Sequence, residues 1–133
     1  MFISAIYGEN MTNLIYKEEI YEIINCAMEV LNELGHGFHE KIYENALCVE
    51  FDLRGIKYKQ QQDFDINYKH KKVGKYTPDL IVYDKIVVDT KVIKEITDHE
   101  TGKMLNYLKV TEQKVGLLIN FKYSKLEWKR LIL

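Results

Sequence analysis

Proline occurs once in the 133 residues, at Pro78, and cysteine twice, at Cys26 and Cys48. No proline-rich or otherwise linker-like stretch divides the chain, and it has neither low-complexity segments nor internal repeats. One domain is therefore expected over residues 13–133. Residues 1–10 lack apolar periodicity, so residues 1–12 are expected to be loosely held, with Met11 a candidate alternative start. Both cysteines fall inside helical patterns and read as small buried hydrophobes, not as a disulfide or a metal pair. No run approaches the ~18 apolar residues of a membrane span. The first residues also lack the basic start and apolar stretch of a signal peptide, so no membrane association and a cytoplasmic location are expected. Neither charge sign dominates: 19 Lys and Arg against 20 Asp and Glu give a net charge of -1. That balance excludes a surface that is basic all over, while leaving room for a local basic patch.

The chain does have apolar periodicity, and 47% hydrophobic residues is enough for one packed core. Between Leu14 and Leu34, Ile20, Ile23, Ile24, Ala27, Leu31 and Leu34 recur at three- and four-residue spacing, which predicts an amphipathic helix with Gly35 as its left-handed cap. A second helix is expected from Phe38 to Arg54, ended by Gly55. Lys57 to Tyr68 reads as a strand near a sheet edge, and residues 69–75 as a basic turn. Leu80–Tyr83 and Ile86–Val88, the latter continuing to Ile93, are β-branched and almost unbroken, as buried central strands are. Thr97-Asp98-His99-Glu100 has the form of a capping box and predicts a third helix ending near Thr111. Val115–Phe121 is another buried strand, and Leu126–Leu133 a last strand or short helix. The expected order is ααβββαβ plus that tail, an α/β domain of two or three layers.

Three charges interrupt the most apolar strands: Asp79, Asp89 and Lys91. A buried charge costs several kcal/mol, on the order of 3–5, unless it is paired or holds a metal. Strand alternation puts Asp89 and Lys91 on one face and Thr90 on the other. With a three-residue loop over 83–85, Val82 faces Ile86 and Asp79 faces Asp89. A two-residue loop would put Asp79 opposite Thr90, on the wrong face. Two carboxylates converging beside a lysine make a hard-cation site, with Asp79, Asp89 and the Thr90 carbonyl as candidate ligands for Mg²⁺ or Mn²⁺. The competing interpretation is a structural ion pair that holds the sheet. On a helical wheel from Phe38, Glu40 falls between Leu47 and Phe51 and is expected to face the domain without a local cation. Glu50, by contrast, has Arg54 one turn on.

Gly37-Phe38-His39-Glu40-Lys41-Ile42-Tyr43, continued by Glu44-Asn45-Ala46-Leu47, resembles the motif of the GxxExxY proteins. The resemblance runs on through Leu53-Arg54-Gly55-Ile56, Tyr76-Thr77-Pro78-Asp79, Asp89-Thr90-Lys91, Leu105-Asn106-Tyr107-Leu108-Lys109 and Gly116-Leu117-Leu118-Ile119-Asn120-Phe121. It spans roughly residues 20–132. That family resembles the PD-(D/E)XK nuclease superfamily, which implies a restriction-endonuclease-like core, a mixed β-sheet flanked by α-helices. Residue by residue, it implies Glu40 as the helix acid, Asp79 as the PD acid, and Asp89 and Lys91 as the (D/E)xK pair, together a catalytic set. Aspartate stands at 89 where glutamate is commoner. The pattern implies Gln-x-x-x-Tyr in the third helix; Tyr107 matches, but Lys103 stands at the glutamine position. Lys103, Tyr107 and the motif's own Tyr43 are candidates for contacts to substrate.

The expected function is a metal-dependent nuclease that hydrolyses phosphodiester bonds of DNA or RNA. The alternative is a catalytically inactive nucleic-acid-binding or partner-binding module on the same fold. Lys57, Lys59, Lys69, Lys71, Lys72 and Lys75, interleaved with Tyr58, Tyr68 and Tyr76, are candidates for a phosphate-tracking surface. So is a second group, Lys122, Lys125, Lys129 and Arg130 around Trp128. Ten tyrosines are many for this length, and some are candidates for a homodimer interface.

Overall fold

A pair of packed helices precedes the first strand. The structure, a computed structural model, describes residues 15–133; the expectation of a loosely held segment over residues 1–12 lies outside the described residues. Helix α1 (Lys17–Leu34) buries Ile20, Ile23, Ile24, Ala27 and Leu31, with Cys26 and Val30. Leu34 is exposed. Gly35 ends it at φ 84° and ψ 172°, a positive φ that suits glycine but not the left-handed helical cap expected there. Helix α2 (Glu40–Arg54) starts two residues later than its pattern suggested and stops at Gly55, which does adopt the left-handed conformation. Cys26 and Cys48 are buried free thiols, and burial pushes both up to about 11.

Seven strands and a third helix follow: β1 (Tyr58–Gln60), β2 (Phe64–Tyr68), β3 (Lys71–Tyr76), β4 (Leu80–Val82), β5 (Ile86–Lys91), α3 (Asp98–Thr111), β6 (Val115–Asn120) and β7 (Glu127–Ile132). Three expectations need correction. The single strand over 57–68 is two strands, separated at Gln61, whose φ is 58°. The basic turn over 69–75 is a turn only at Lys69 and His70, both at positive φ, and a strand from Lys71 onward. The order is thus ααβββββαββ, with the tail a strand. Helix α3 begins at the predicted capping box: the Thr97 hydroxyl accepts from the His99 N–H, and Glu100 accepts from the Thr97 N–H at 2.7 Å.

Among the described residues five strands form the main sheet in the order β1-β4-β5-β6-β7, while β2 and β3 pair separately. β5 and β6 run parallel, joined by α3 as a crossover, and the other pairs are antiparallel. Helices cover both faces, giving three layers. Leu80, Val82, Ile86, Val88, Leu117 and Ile119 share a core with α1 and α2. Val87, Leu118 and Leu131 point the other way, onto Met104 and Leu108 of α3. Burial on both faces accounts for the unbroken apolar runs in β4, β5 and β6. Gly116 lets α3 approach: a Cβ there would lie 2.6 Å from Met104 Sδ.

The β4–β5 turn fixes the register. Val82 pairs with Ile86 and Leu80 with Val88, so the loop is the three residues Tyr83, Asp84 and Lys85. Tyr83 and Asp84 sit at φ 60° and 61°. The turn is held by Lys85 N–H to Val82 O at 3.1 Å, by Tyr83 N–H to Lys57 O at 2.9 Å, and by Lys57 Nζ to Asp84 at 2.6 Å. Continued one pair further, this register sets Asp79 against Asp89.

Candidate active site

Strand β5 carries its apolar residues first and its polar ones last, Asp89, Thr90 and Lys91, at the end where β4 has not yet begun. Asp89 and Lys91 lie on the α3 face and Thr90 on the α1–α2 face. Asp79, just before β4, reaches across this gap: its Oδ2 accepts the Thr90 N–H at 2.9 Å and the Thr90 hydroxyl at 3.0 Å. These two bonds aim the Asp79 carboxyl, which also contacts Asp89. Lys91 Nζ lies 3.2 Å from Asp89 Oδ2, with the lysine side chain 26% and the aspartate 15% exposed. The structure thus brings Asp79, Asp89 and Lys91 together.

The electrostatics follow from burial and like charge. Burial, with Asp79 adding to it, pushes the Asp89 carboxyl up to about 7 against the opposing pull of Lys91. Burial works against the Lys91 ammonium, but Asp89, then Glu40 and Asp79, more than offset it and hold its pKa above the ordinary lysine value. Lys91 is therefore a cation at neutral pH. Two crowded carboxylates with one lysine leave an excess of negative charge, which is the chemistry of a divalent-cation site. On the β6 side the Lys91 carbonyl accepts the Phe121 N–H at 2.9 Å. Alternation turns the Thr90 N–H and carbonyl to the opposite side, toward Asp79. Among the described residues no three His, Cys, Asp or Glu side chains converge as a metal set, so the oxygen donors available here to a cation are the Asp79 and Asp89 carboxylates and the Thr90 carbonyl.

Glu40 departs from its expected place. It is the first residue of α2 and is exposed; the helical wheel misplaces it because no turn precedes it to pack against. It stands at the rim, where Oε2 accepts the Val92 N–H at 3.3 Å. The inward acid of α2 is Glu44, one turn on and 2% exposed. Glu44 gathers Lys41 Nζ at 3.1 Å and the side-chain amides of Gln60 and Gln61, each at 2.8 Å. Gln61 in turn donates its backbone N–H to the Asp79 carbonyl at 3.0 Å. The network ties α2 through β1 to the loop bearing Asp79. Its sequence signal was present, since Glu44 falls only about 40° round the helix from Glu40, but its partners lie 16 and 17 residues away. Glu40, Lys41, Glu44, Asp79 and Val92 border a cleft of about 830 Å³ at the N-terminus of α2. Asp79 is common to this cleft and to the Asp89–Lys91 pair.

The three substrate-contact candidates fare differently. Tyr43 is a correction: it is fully buried, stacked on Phe121 at 4.3 Å and 5°. Its hydroxyl donates to Gly35 O at 2.7 Å and accepts from Phe38 N–H at 3.0 Å, so it staples the α1–α2 loop and cannot touch a ligand. Lys103 is exposed on α3. Tyr107, one turn along, stacks on Tyr76 at 3.8 Å and 10°. Tyr76 was missed as a site neighbour: burial raises its phenol pKa, and Asp89, Tyr107 and Asp79 raise it further. Of the two basic groups, Lys57 and Lys59 are engaged by Asp84 in the turn. Arg130 is buried, its Nη2 donating to Ile15 O at 2.7 Å.

A sequence model of the PD-(D/E)XK nuclease superfamily matches residues 17–131. No curated protein matches the chain. Among solved structures, the crystal structure of SSO0001 is similar, with a TM-score of 0.55 at 16% identity, covering 88% of this chain. The chain spans 57% of that protein's length. At that identity the likeness concerns the fold: a mixed sheet between helices, as in restriction endonucleases.

Proposed function

From the premise that the chain belongs to the PD-(D/E)XK nuclease superfamily, we propose that it is a nuclease using Mg²⁺ or Mn²⁺ to hydrolyse phosphodiester bonds of DNA or RNA. The observation that carries this reading is the Asp79–Asp89 contact beside Lys91, with Asp89 largely buried and its pKa pushed up to about 7. A sheet gains nothing from two adjacent carboxylates, which destabilise it as anions; a divalent cation relieves that repulsion. When bound, the cation supplies Lewis acidity at the phosphodiester and a more acidic water. Asp79, Asp89 and the Thr90 carbonyl are its holders. The two Thr90 bonds keep Asp79 from swinging away. Lys91, a cation anchored on Asp89, orients a water or offsets negative charge developing on the phosphate. Glu40 at the rim accepts a hydrogen bond from water or a second donor at the cleft mouth. Superfamily membership supports nucleic acid as the substrate.

The test is incubation of the purified protein with plasmid, single-stranded DNA and RNA, with Mg²⁺ or Mn²⁺ and with EDTA. Metal-dependent cleavage that drops at least about 100-fold in Asp89→Ala is expected, the size of effect that removing one electrostatic stabiliser has. Cleavage undiminished by that substitution sinks the assignment. A second reading has one observation in its favour: Lys103 stands on α3 where the superfamily pattern implies glutamine, adding a cation on the side of Tyr107. On that reading the fold binds nucleic acid without cutting it, and salt-sensitive binding without metal-dependent products is the result that selects it.

A further inference from the structure

The β2–β3 hairpin is the part of the fold that the site as described leaves unused. Among the described residues it pairs with no other strand, and its two faces differ. Cross-strand pairing sets Phe64 against Tyr76, Ile66 against Gly74 and, beyond the bulge, Tyr68 against Lys71, so these residues share one face. At the base of that face Tyr76 stacks on Tyr107 of α3, and Phe64 and Ile66 are half-buried. Toward the tip the face runs free: Tyr68 is 63% exposed. The opposite face neutralises itself, Lys75 pairing with Asp63 at 3.3 Å and Lys72 with Asp65 at 3.2 Å. On the free side neither Lys71 nor the turn residue Lys69 has an acidic partner among the described residues; Lys69 Nζ lies 5.4 Å from the Tyr68 ring centroid. Lys103 is one turn of α3 from Tyr107 and so on the same side of that helix.

We infer that the inner face of the β2–β3 hairpin is a binding arm for a single-stranded nucleic acid, with Tyr68 as a stacking platform for an unpaired base and Lys69 and Lys71 as phosphate contacts. The face leads from Tyr76, whose phenol lies within the electrostatic reach of Asp89 and Asp79, outward over about 16 Å at ~3.3 Å per residue. A strand lying along it meets cations and an aromatic at the tip and the carboxylate pair at the base. An exposed ring flanked by lysines fits unpaired bases because every base offers a face to stack on, whereas duplex bases are covered by their neighbours. A duplex would use the lysines and leave the tyrosine idle. The inference rests on the nuclease reading for which polymer approaches the site, but its test does not.

Fluorescence anisotropy in EDTA, where nothing is cut, measures binding of labelled single-stranded DNA, single-stranded RNA and a duplex of the same sequence. Tyr68→Ala is expected to weaken binding of a single strand, DNA or RNA, by about 5- to 100-fold while changing the duplex by less than about 2-fold. Lys69→Ala with Lys71→Ala should lower the salt slope for a single strand by about 1.4. These side chains are exposed, and thermal melting should confirm that each variant stays folded. Wild-type binding in both variants, or equal losses for duplex and single strand in Tyr68→Ala, overturns the arm. So does a wild type that binds no single strand. A wild type that binds single strands through the arm but cuts none with Mg²⁺ or Mn²⁺ ends the nuclease reading and leaves the arm standing. Cleavage unaffected by either hairpin variant does the reverse.

Discussion

Replacing Asp89 with asparagine removes a carboxyl that the fold pushes up from 3.8 to about 7. A folded-state pKa above the unfolded value means that the native protein binds the proton more tightly. Its stabilising contribution is complete below about pH 4 and is lost as pH rises through 7. Three units at about 1.4 kcal/mol each set a ceiling near 4 kcal/mol, and between pH 5 and 8 the share of this one group is about 2–3 kcal/mol. Lys91 already moderates the shift. The carboxylates held below their ordinary values, Glu19 and Glu100 among them, finish titrating below that window, so they do not mask it. In EDTA, wild-type protein should therefore lose about 2–3 kcal/mol between pH 5 and 8, seen as a fall of about 1–2 M in the urea midpoint. Asp89→Asn should lose less than about 1 kcal/mol and be the more stable of the two at pH 8. Adding Mn²⁺ at pH 8 should raise the wild-type midpoint and leave the variant nearly unmoved. Parallel pH profiles for the two proteins would refute the claim that Asp79 and burial strain the Asp89 carboxylate.

Other perturbations test how the site is held. Tyr43→Phe should cost about 1–2 kcal/mol by calorimetry, since one hydroxyl serves both Gly35 and Phe38, while oligonucleotide affinity stays within error; a selective loss of binding would restore Tyr43 as a substrate contact. Gly116→Ala should destabilise by about 1–3 kcal/mol, because the fully buried Met104 must shift within a packed core to make room for the new methyl; an unchanged melting temperature would argue against the close α3–β6 approach. Glu44→Gln should cost about 1–2 kcal/mol and weaken Mn²⁺ binding several-fold by isothermal titration, through the Gln61 hold on Asp79. Lost stability with unchanged Mn²⁺ affinity would reduce Glu44 to glue between α2 and β1.

Much of this architecture was legible because local chemistry and global packing agree. The Thr97 capping box marks the start of α3, the unbroken runs of β4, β5 and β6 mark strands buried on both faces, and alternation within β5 separates Asp89 and Lys91 from Thr90. Legibility failed where partners are remote or burial is slight. The β2–β3 hairpin has few buried positions, so apolar periodicity carries no trace of β3, and its lysines suggested a turn. The break at Gln61 is a left-handed residue without glycine, an instruction written in the Glu44 network and not in the local sequence. Glu40 and Glu44 lie on nearly the same side of α2, and which one is covered depends on β1 reaching over the second turn. Tyr43 belongs to a recognisable motif, but the motif does not say that Phe121 covers its ring.

The three-residue β4–β5 turn has a consequence for how this sequence tolerates change in length. Loops ordinarily absorb insertions and deletions cheaply. Here the Val82–Ile86 pair sets the register: a residue lost among 83–85 leaves that pair intact, whereas one lost between the pair and the acids, such as Ile81, sends what precedes it to the other face. With Ile81 removed, Leu80 would oppose Val87 and Asp79 would oppose Val88, on the α1–α2 face. A variant shortened by one within β4 is expected to lose the site and the fold together, whereas one shortened by one within the turn keeps the pairing and the site. Strand length beside the turn is thus inherited with the chemistry, and related sequences that keep the acids are expected to keep equal counts from the turn to each acid.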